Sequence, residues 1–547
     1  MTVGSISSTK EILHPAWMQW IIPSTGDLIF VALLGLFVYT ALAIRLLGDA
    51  GIGWHIRTGQ LILTTHAIPR VDPFSSTMAG RPWFAWEWLY DMLVGWLDQV
   101  AGLNGVIFFT ASIIALTFSW TFRLLLRRGT SFPVALVLVL LAASASMIHF
   151  FARPHVVSWL FTIAWFCVLD SSAGQNHDPV ANARDNGRYL WFLPLLMILW
   201  VNIHGGFLLG FVLLGIYWIG AVWEYFRLRE ERFEDAMRKI SAGMRSRRLA
   251  LVSVLSALAT LVNPYGWKLH VHIYRYLSNR FLMDHIDEFQ SPNFHGVAQK
   301  CFAALLMLSL VALATKKDDT RGIRLSEALV MLFAVYSGLY AARNIPVSAL
   351  LLVLVIGPRL SDALQSLEKW RISSRSQSQA SPNFFQRMQN IEAGLRGHVC
   401  PVALLVITCW IVFHGGKLGT KPLMNAHFDT KRFPSRAVDY LESHNLHGAV
   451  FAPDSWGGYL IYRLYPQIKV AVDDRHDLYG EQFLKSYLRM MHVEPGWDTF
   501  LAQYPVRYVL IGKDSALANI LAETPGWQPL YSDDVAIVFV FANPKSQ

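Results

Sequence analysis

Long apolar stretches recur along this chain, and nearly every unusual polar residue falls at the same end of them. Residues 28–47, 105–126, 131–149, 155–170, 189–203, 206–225, 249–263, 297–315, 325–341, 345–359 and 398–416 read as about eleven membrane spans. The first run is too long for a signal-peptide core and carries no small-residue cleavage site, so it reads as a retained span. Between the first two spans lies a loop over 48–104. Its second half, from Glu87 to Leu97, alternates polarity at helical spacing and predicts an amphipathic helix along the membrane interface. Asn202-Ile-His-Gly-Gly206 and Asn263-Pro-Tyr-Gly266 interrupt helices, which requires protein or water to satisfy the freed backbone groups.

After the last span the pattern changes to that of a water-facing domain. A helix is expected over 435–444, and strands over 448–452, 468–472, 508–511 and 535–541. The predicted fold is therefore a polytopic α-helical membrane protein, N-terminus inside and C-terminus outside, with a C-terminal extracytoplasmic α/β domain. Its parts are a cytoplasmic N-terminus (1–26), a bundle (27–359) with a large first outer loop (48–104), a cytoplasmic linker (360–397), a last span (398–416) and the outer domain (417–547). The linker is rich in Ser and Gln, as in Ser373-Ser-Arg-Ser-Gln-Ser-Gln-Ala-Ser381, and reads as partly disordered.

Composition fits this picture: 54% of the 547 residues are hydrophobic and only 16% charged, against about a quarter charged in soluble domains. The net charge of +9 follows the membrane rather than a nucleic-acid face. Arg123, Arg127 and Arg128 end one span. Arg227, Arg229, Arg232, Arg238, Lys239, Arg245, Arg247 and Arg248 fill one inter-span loop. Lys316, Lys317, Arg321 and Arg324 fill another, and Lys369, Arg371, Arg375, Arg387 and Arg396 a third. These segments are the cytoplasmic ones by the positive-inside rule, and no nucleic-acid partner is expected. Cys167, Cys301, Cys400 and Cys409 lie in or beside apolar stretches without metal-ligand spacing.

The candidate chemistry gathers at the opposite, extracytoplasmic end. Polar groups at membrane depth are costly, so a one-sided gathering suggests a site. Asp49 follows the first span and can act as a general base or hold a divalent cation. Trp54, Trp83, Trp86 and Trp88 offer flat apolar faces near it, with His55 alongside. Glu87 is either a second acid or a partner for the helix N-terminus. Asp72 reads as a turn residue. His149, Arg153 and His155 bracket Pro154 in a short loop, where Arg153 either grips phosphate or anchors the interface. Asn202 and His204 sit beside Gly205-Gly206. His270 and His272 face one way only if extended, and then form a metal pair. Asp284, His285, Asp287 and Glu288 add acidic and titratable groups to the same loop. Arg343-Asn344 opens a tight turn and offers the best phosphate grip. In the outer domain, Asp454-Ser-Trp-Gly-Gly-Tyr459 and Asp473-Asp-Arg-His-Asp477 stand out; Asp473-Asp474 reads either as a cation site or as solvated acids at a strand end.

Asp49, Trp54-His-Ile-Arg-Thr-Gly59 and Pro82-Trp-Phe-Ala-Trp-Glu-Trp88, set among many spans with an outer C-terminal domain, resemble the glycosyltransferase C superfamily. Ser455-Trp-Gly-Gly-Tyr-Leu460 followed by Val470-Ala-Val-Asp-Asp474 is similar to the Trp-Trp-Asp-Tyr-Gly region of oligosaccharyltransferases. The motif's Asp position is Gly457 here, and its first Trp is Ser455. The resemblance implies an inverting sugar transferase of the bacterial inner membrane, using a polyprenyl-phosphate donor and an extracytoplasmic glycolipid, polysaccharide or protein acceptor. In that reading Asp49 and Glu87 are catalytic, and Mg or Mn is an open cofactor with Asp49, His270 and His272 as candidate ligands. Arg343 and Arg153 bind the donor phosphate. Trp54, His55, Asn202, His204, His270 and His272 line the pocket, and Trp456, Tyr459, Asp473 and Asp474 select the acceptor. The partners are the lipid-linked donor, membrane lipids and the acceptor. The rival reading is a non-enzymatic scaffold for envelope polysaccharide assembly or export. A transporter ranks third, because no charged residue lies at mid-span.

Overall fold

The structure, a computed structural model, describes residues 18–173, 187–229, 232–314, 323–373 and 388–541, apart from residues 390, 393, 396 and 505, and only the backbone over 367–373. Residues 1–17 of the expected N-terminus, residues 374–387 of the expected linker, and the basic residues Lys316, Lys317, Arg321, Arg375, Arg387 and Arg396 lie outside the described residues, while residues 360–373 of that linker continue a helix.

The membrane bundle is built from α1 (Thr25–Tyr39), α2 (Ile52–Thr65), α3 (Trp88–Arg127), α4 (Phe132–Ser146), α5 (His155–Ser172), α6 (Leu193–Ile203), α7 (Leu208–Arg227), α8 (Phe233–Ala259), α9 (Trp267–Leu277), α10 (Val297–Ala314), α11 (Leu325–Tyr340), α12 (Ile345–Ser373) and α13 (Val399–Phe413). Every expected span has a helix. Among the described residues, 7 helical stretches are long and apolar enough to cross a membrane, and residues 188–203, 325–340 and 399–413 form shorter apolar helices. Ser24 starts α1 with a capping box to Asp27. That helix ends at Tyr39, earlier than the expected residue 47, with Thr40 extended behind it.

The predicted interfacial helix is the first part of α3. Gly102, at φ 61°, breaks it from the span that follows, a backbone conformation that glycine adopts at no steric cost. Helix α2 was not expected. It packs so tightly on α3 that a Cβ on Gly59 would meet the Asp91 carbonyl, and one on Gly95 would fall 2.6 Å from Gln60 N.

At the far end from this loop, ion pairs tie the helices. Arg128 reaches Asp170 and, at 2.8 Å, Glu327; Arg324 reaches both acids at 2.8 Å. Arg123, Asp27 and His398 form a second group there.

The C-terminal domain contains α14 (Ser435–Ser443), β1 (Gly448–Phe451), α15 (Asp454–Leu464), β2 (Ile468–Val470), α16 (His476–Met491), β3 (Tyr508–Gly512), α17 (Ala516–Glu523), β4 (Trp527–Ser532) and β5 (Ala536–Phe541). The sheet order is β2-β1-β3-β5-β4. Strand β1 runs parallel to β2 and β3, while β5 is antiparallel to β3 and β4. The expected helix and four strands are present; β4 was not foreseen, because Pro529 and its exposed positions blur the period.

The first loop seals the β2 edge. Ser75 bridges Val470 in parallel, Ser76 N donates to the Val470 carbonyl at 2.8 Å, and Thr77 Oγ1 donates to the Ala471 carbonyl at 2.6 Å. Helix α15 meets α2 through glycines: a Cβ on Gly53 would lie 2.1 Å from the Gly458 carbonyl oxygen, and one on Gly458 would lie 2.3 Å from that of Ala50. Backbone on both sides cannot yield. Gly458→Val is therefore expected to cost about 1–3 kcal/mol, read as a lower melting temperature and faster proteolysis between bundle and domain.

Candidate functional site

The joint between α2, the α4–α5 turn and the domain gathers the first cluster. Asp49 Oδ1 accepts from Gly51 N–H at 2.8 Å and from Arg153 Nη1 at 2.8 Å. The same Arg153 nitrogen donates to Asp474 Oδ2 at 2.7 Å, and Trp54 Nε1 donates to Asp474 Oδ1 at 2.9 Å. A Cβ on Gly51 would strike the Arg153 guanidinium and lie 2.5 Å from Asp474 Oδ2, so this position accepts only glycine. Burial works against the Arg153 charge, but Asp49 and Asp474 outweigh it and hold the guanidinium protonated. Burial pushes the Asp474 carboxyl up, against the pull of Arg153. Asp49 keeps a third of its side chain exposed.

A second cluster surrounds Glu87, the residue before α3. Its carboxyl is 3.9 Å from His55 Nε2 on one side and 3.9 Å from His204 Nε2 on the other. His55 Nδ1 lies 2.5 Å from Asp91 Oδ1, and both side chains are fully buried. His204 Nδ1 contacts Ser158 Oγ at 2.8 Å, and Ser158 in turn accepts from Trp200 Nε1 at 2.7 Å. Asn202 accepts from Trp88 Nε1 at 2.7 Å, fixing the start of α3 against the end of α6. Burial raises the Glu87 carboxyl to about 8, although Arg153 pulls the other way. Burial, aided by Arg153, lowers His55; burial, aided by Arg343, lowers His204, so both rings stay neutral.

Next to this cluster opens a cleft of about 370 Å³ with an entirely apolar lining: Leu63, Leu89, Tyr90, Leu93, Trp96 and Ile203 among others. Tyr90 joins the cleft to the polar site, since its ring meets that of His55 edge-on at 5.3 Å.

The remaining candidates divide. Arg343 stacks on Phe289 at 4.4 Å and pairs with Glu288 at 3.5 Å, keeping about 30% of its side chain exposed. Burial would raise Glu288, but Arg343 and Arg153 hold it at about 2. His270 and His272 lie on helix α9, not on an extended segment, and so turn apart. His270 Nε2 meets Thr260 Oγ1 at 2.8 Å, whereas His272 Nε2 meets Asp477 at 2.9 Å and its ring stacks on Phe84. They make no metal pair with each other or with Asp49, whose nearby cation is Arg153. Among the described residues, no group of three or more His, Cys, Asp or Glu side chains is arranged to hold a metal.

Asp473 and Tyr459 are buried inside the domain. Asp473 accepts two bonds from Arg475, at 2.8 and 2.7 Å, and one from Tyr479 at 2.8 Å. Arg475 also lies 2.8 Å from Asp72 and spreads over Trp83 at 4.6 Å, which clamps the first loop to the domain. Asp72 is the expected turn residue as well, accepting from Phe74 and Ser75 N–H. Tyr459 packs on Phe428 and Phe433 in the domain core. Trp456 is half-buried and donates to the Arg432 carbonyl at 3.0 Å. Gly457 packs against the Val472–Asp473 backbone, leaving no room for a side chain. Sequence reasoning missed Asp91, Ser158 and Arg475.

No family model matches the chain, and no curated protein matches it in sequence. Solved structures do match. An oligosaccharyltransferase of Archaeoglobus fulgidus, tethered with an acceptor peptide containing the NVT sequon, aligns with a TM-score of 0.54 at 13% identity, over 95% of this chain and 73% of that one. Oligosaccharyltransferase AglB of that organism, in complex with an inhibitory peptide and a dolichol-phosphate, gives 0.53 at 12% identity, over 96% and 74%. ArnT from Cupriavidus metallidurans bound to undecaprenyl phosphate gives 0.47 at 14%, over 95% and 99%. The chain shares the overall fold of these oligosaccharyltransferases, the fold that its sequence resemblance implied. It is a multi-pass helical membrane protein with a C-terminal sheet-containing domain.

Proposed function

We propose that this protein transfers a sugar from a polyprenyl-phosphate donor to an acceptor at the extracytoplasmic face of a bacterial inner membrane. The observation that carries this reading is the meeting of a wholly apolar cleft with two clusters of acids, bases and arginines at its head. A lipid tail suits the cleft, and a phosphate at its polar end meets positive charge. Charge supports this orientation: Arg123, Arg128 and Arg324 lie at the end opposite the site, as expected of a cytoplasmic side. The glycosyltransferase C fold is consistent with this chemistry, though a fold alone does not set a function.

In this reading Asp49 takes the proton of the acceptor hydroxyl. Arg153, with one nitrogen committed to two carboxylates, orients Asp49 rather than gripping the donor. Arg343 is the phosphate clamp, because its guanidinium is partly exposed and its charge reaches Glu87 and His204. Asp474 and Trp54 shape the acceptor side. Inversion at the anomeric carbon follows if one displacement completes the transfer.

The test is transfer of labelled sugar from synthetic polyprenyl-phosphate sugars by the full chain in nanodiscs. Label leaving the lipid for an acceptor supports the reading. If no lipid-phosphate sugar is turned over by folded protein, the scaffold reading replaces it. Leu93→Gln places an unpaired amide against the tail at a cost of about 1–3 kcal/mol. It is expected to raise the donor KM by roughly tenfold, with kcat nearly unchanged.

A further inference from the structure

Three polar atoms at the head of the cleft are buried without a partner: His55 Nε2, Asp91 Oδ2 and the Tyr90 hydroxyl. Buried polar groups are nearly always paired, so three orphans in one place mark a site that something else completes. The hydrogen-bonding roles around Glu87 say what that site is for. Asp91 orients the His55 ring through Nδ1. Burial, aided by Glu87, pushes the Asp91 carboxyl well up, so one hydrogen is shared between Asp91 Oδ1 and His55 Nδ1; with it on Nδ1, His55 Nε2 presents a lone pair toward Glu87 Oε2. His204 is the other tautomer. Its Nδ1 accepts from Gly206 N–H at 3.1 Å, so its Nε2 carries the hydrogen and faces Glu87 Oε1. In that state one oxygen of Glu87 looks at an acceptor and the other at a donor. An ionised carboxylate only accepts; a protonated carboxyl has one O–H to give and one oxygen that accepts. The surroundings suit the protonated form. Both gaps are 3.9 Å, longer than a hydrogen bond, as befits contacts that tighten when substrate is bound.

We propose that Glu87, set between His55 and His204, is a protonated general acid that donates its hydrogen to the departing lipid phosphate. This rests on the transferase reading above. Asp49 accepts the proton of the acceptor hydroxyl, whose oxygen forms the new bond to the anomeric carbon. The bond from that carbon to the phosphate oxygen breaks, its electron pair stays on the phosphate, and the phosphate takes the Glu87 hydrogen. After product leaves, Asp49 returns its proton to solvent and Glu87 regains one. A neutral acid at this place also spares the phosphate the repulsion of a carboxylate. His55, Asp91 and His204 act through Glu87 and are positioning residues.

The groups facing Glu87 set its pH range. Burial is the largest influence; Arg153 and Arg343 favour the ionised form, while Asp477 and Asp474 oppose it, leaving the carboxyl at about 8. Its folded value lies above that of a free Glu, so the acid is available below that pH and is lost as pH rises through it.

The experiment is a difference infrared spectrum, wild type minus Glu87→Gln, of the full chain in nanodiscs without donor, followed by pH–rate profiles with donor. The expected result is the carbonyl stretch of a protonated carboxyl at neutral pH, fading as pH passes about 8. Asp477→Asn, by removing a negative charge that raises Glu87, is expected to shift that fading to lower pH. With donor, wild-type kcat should fall along the same limb, and Glu87→Gln should be slowed about 10²- to 10⁴-fold and lack the limb. Absence of the protonated carbonyl at neutral pH overturns the proposal whatever the protein's activity. Its presence together with a wild-type rate that ignores the limb overturns the acid role alone. Absence of all turnover, with the carbonyl present, instead counts against the transferase reading on which the acid role rests.

Discussion

Asp49→Asn is expected to lower sugar transfer by about 10²- to 10⁴-fold, the usual contribution of a positioned acid or base, while leaving the melting temperature close to that of the wild type. The reason lies in how Asp49 is held. Only Oδ1 is engaged, by Gly51 N–H and Arg153, and a third of the side chain faces solvent. Asn preserves the shape and an oxygen for those two donors, and Arg153 keeps its second carboxylate, Asp474, at 2.7 Å. The substitution therefore removes a base without leaving a buried charge unpaired. The paired measurements are kcat on a lipid-phosphate sugar and thermal unfolding in the same nanodiscs. Equal loss of both would mean that Asp49 is structural.

The largest expected loss of stability comes from the other arginine. Arg475 is fully buried between Asp473 and Asp72. Burial opposes its charge, and Asp473 with Asp72 restores it; Asp473 in turn is held ionised by Arg475 against its own burial. Removing one member of such an arrangement strands the others, at a cost of about 3–5 kcal/mol. Arg475→Met is thus expected to lower the melting temperature sharply and to free the first loop from the domain, seen as new cleavage near residues 70–80. Adding Asp72→Asn and Asp473→Asn should recover much of the loss, because no buried charge then remains. A triple variant no better than Arg475→Met would show that the cost came from lost packing over Trp83, Phe74 and Trp54 instead.

Much of the fold was legible because membrane spans and a period-two domain leave strong one-dimensional patterns. Each expected span met a helix, and the one helix and four strands expected in the C-terminal domain fell where they were placed, whereas α15, α16 and α17 were not foreseen. The site was only partly legible. Helix α2 was hidden by Gly48, Gly51, Gly53 and Gly59, which suggest a loop. Those glycines serve instead to bring backbones together: Gly53 against Gly458, and Gly59 against Gly95. The signal that could have revealed the helix was Ile52, His55, Ile56, Gly59 and Ile62, all on its buried face. Asp91 was missed for a related reason. Asp91 stands in a stretch that reads only as an amphipathic interfacial helix, four residues after Glu87. In the structure Asp91 turns into the protein toward His55, and Leu89, Leu93 and Trp96 line the cleft. His270 and His272 went the other way: a spacing of two suits an extended pair, and a helix separates them. Arg153, the partner of Asp49 and Asp474, lies 104 and 321 residues from them, and no local pattern announces such contacts.

The central claim is that a lipid phosphate binds with its tail in the cleft and its phosphate beside Glu87 and Arg343. The most direct measurement is photo-crosslinking of a diazirine-bearing polyprenyl phosphate to the full chain in nanodiscs, mapped by mass spectrometry. The account predicts labels on Leu89, Leu93, Trp96 and Ile203, lost in competition with unlabelled polyprenyl phosphate and weakened by Leu93→Gln. Labels that instead fall along Val399–Ile407 at the opposite end, or that survive competition, would contradict it.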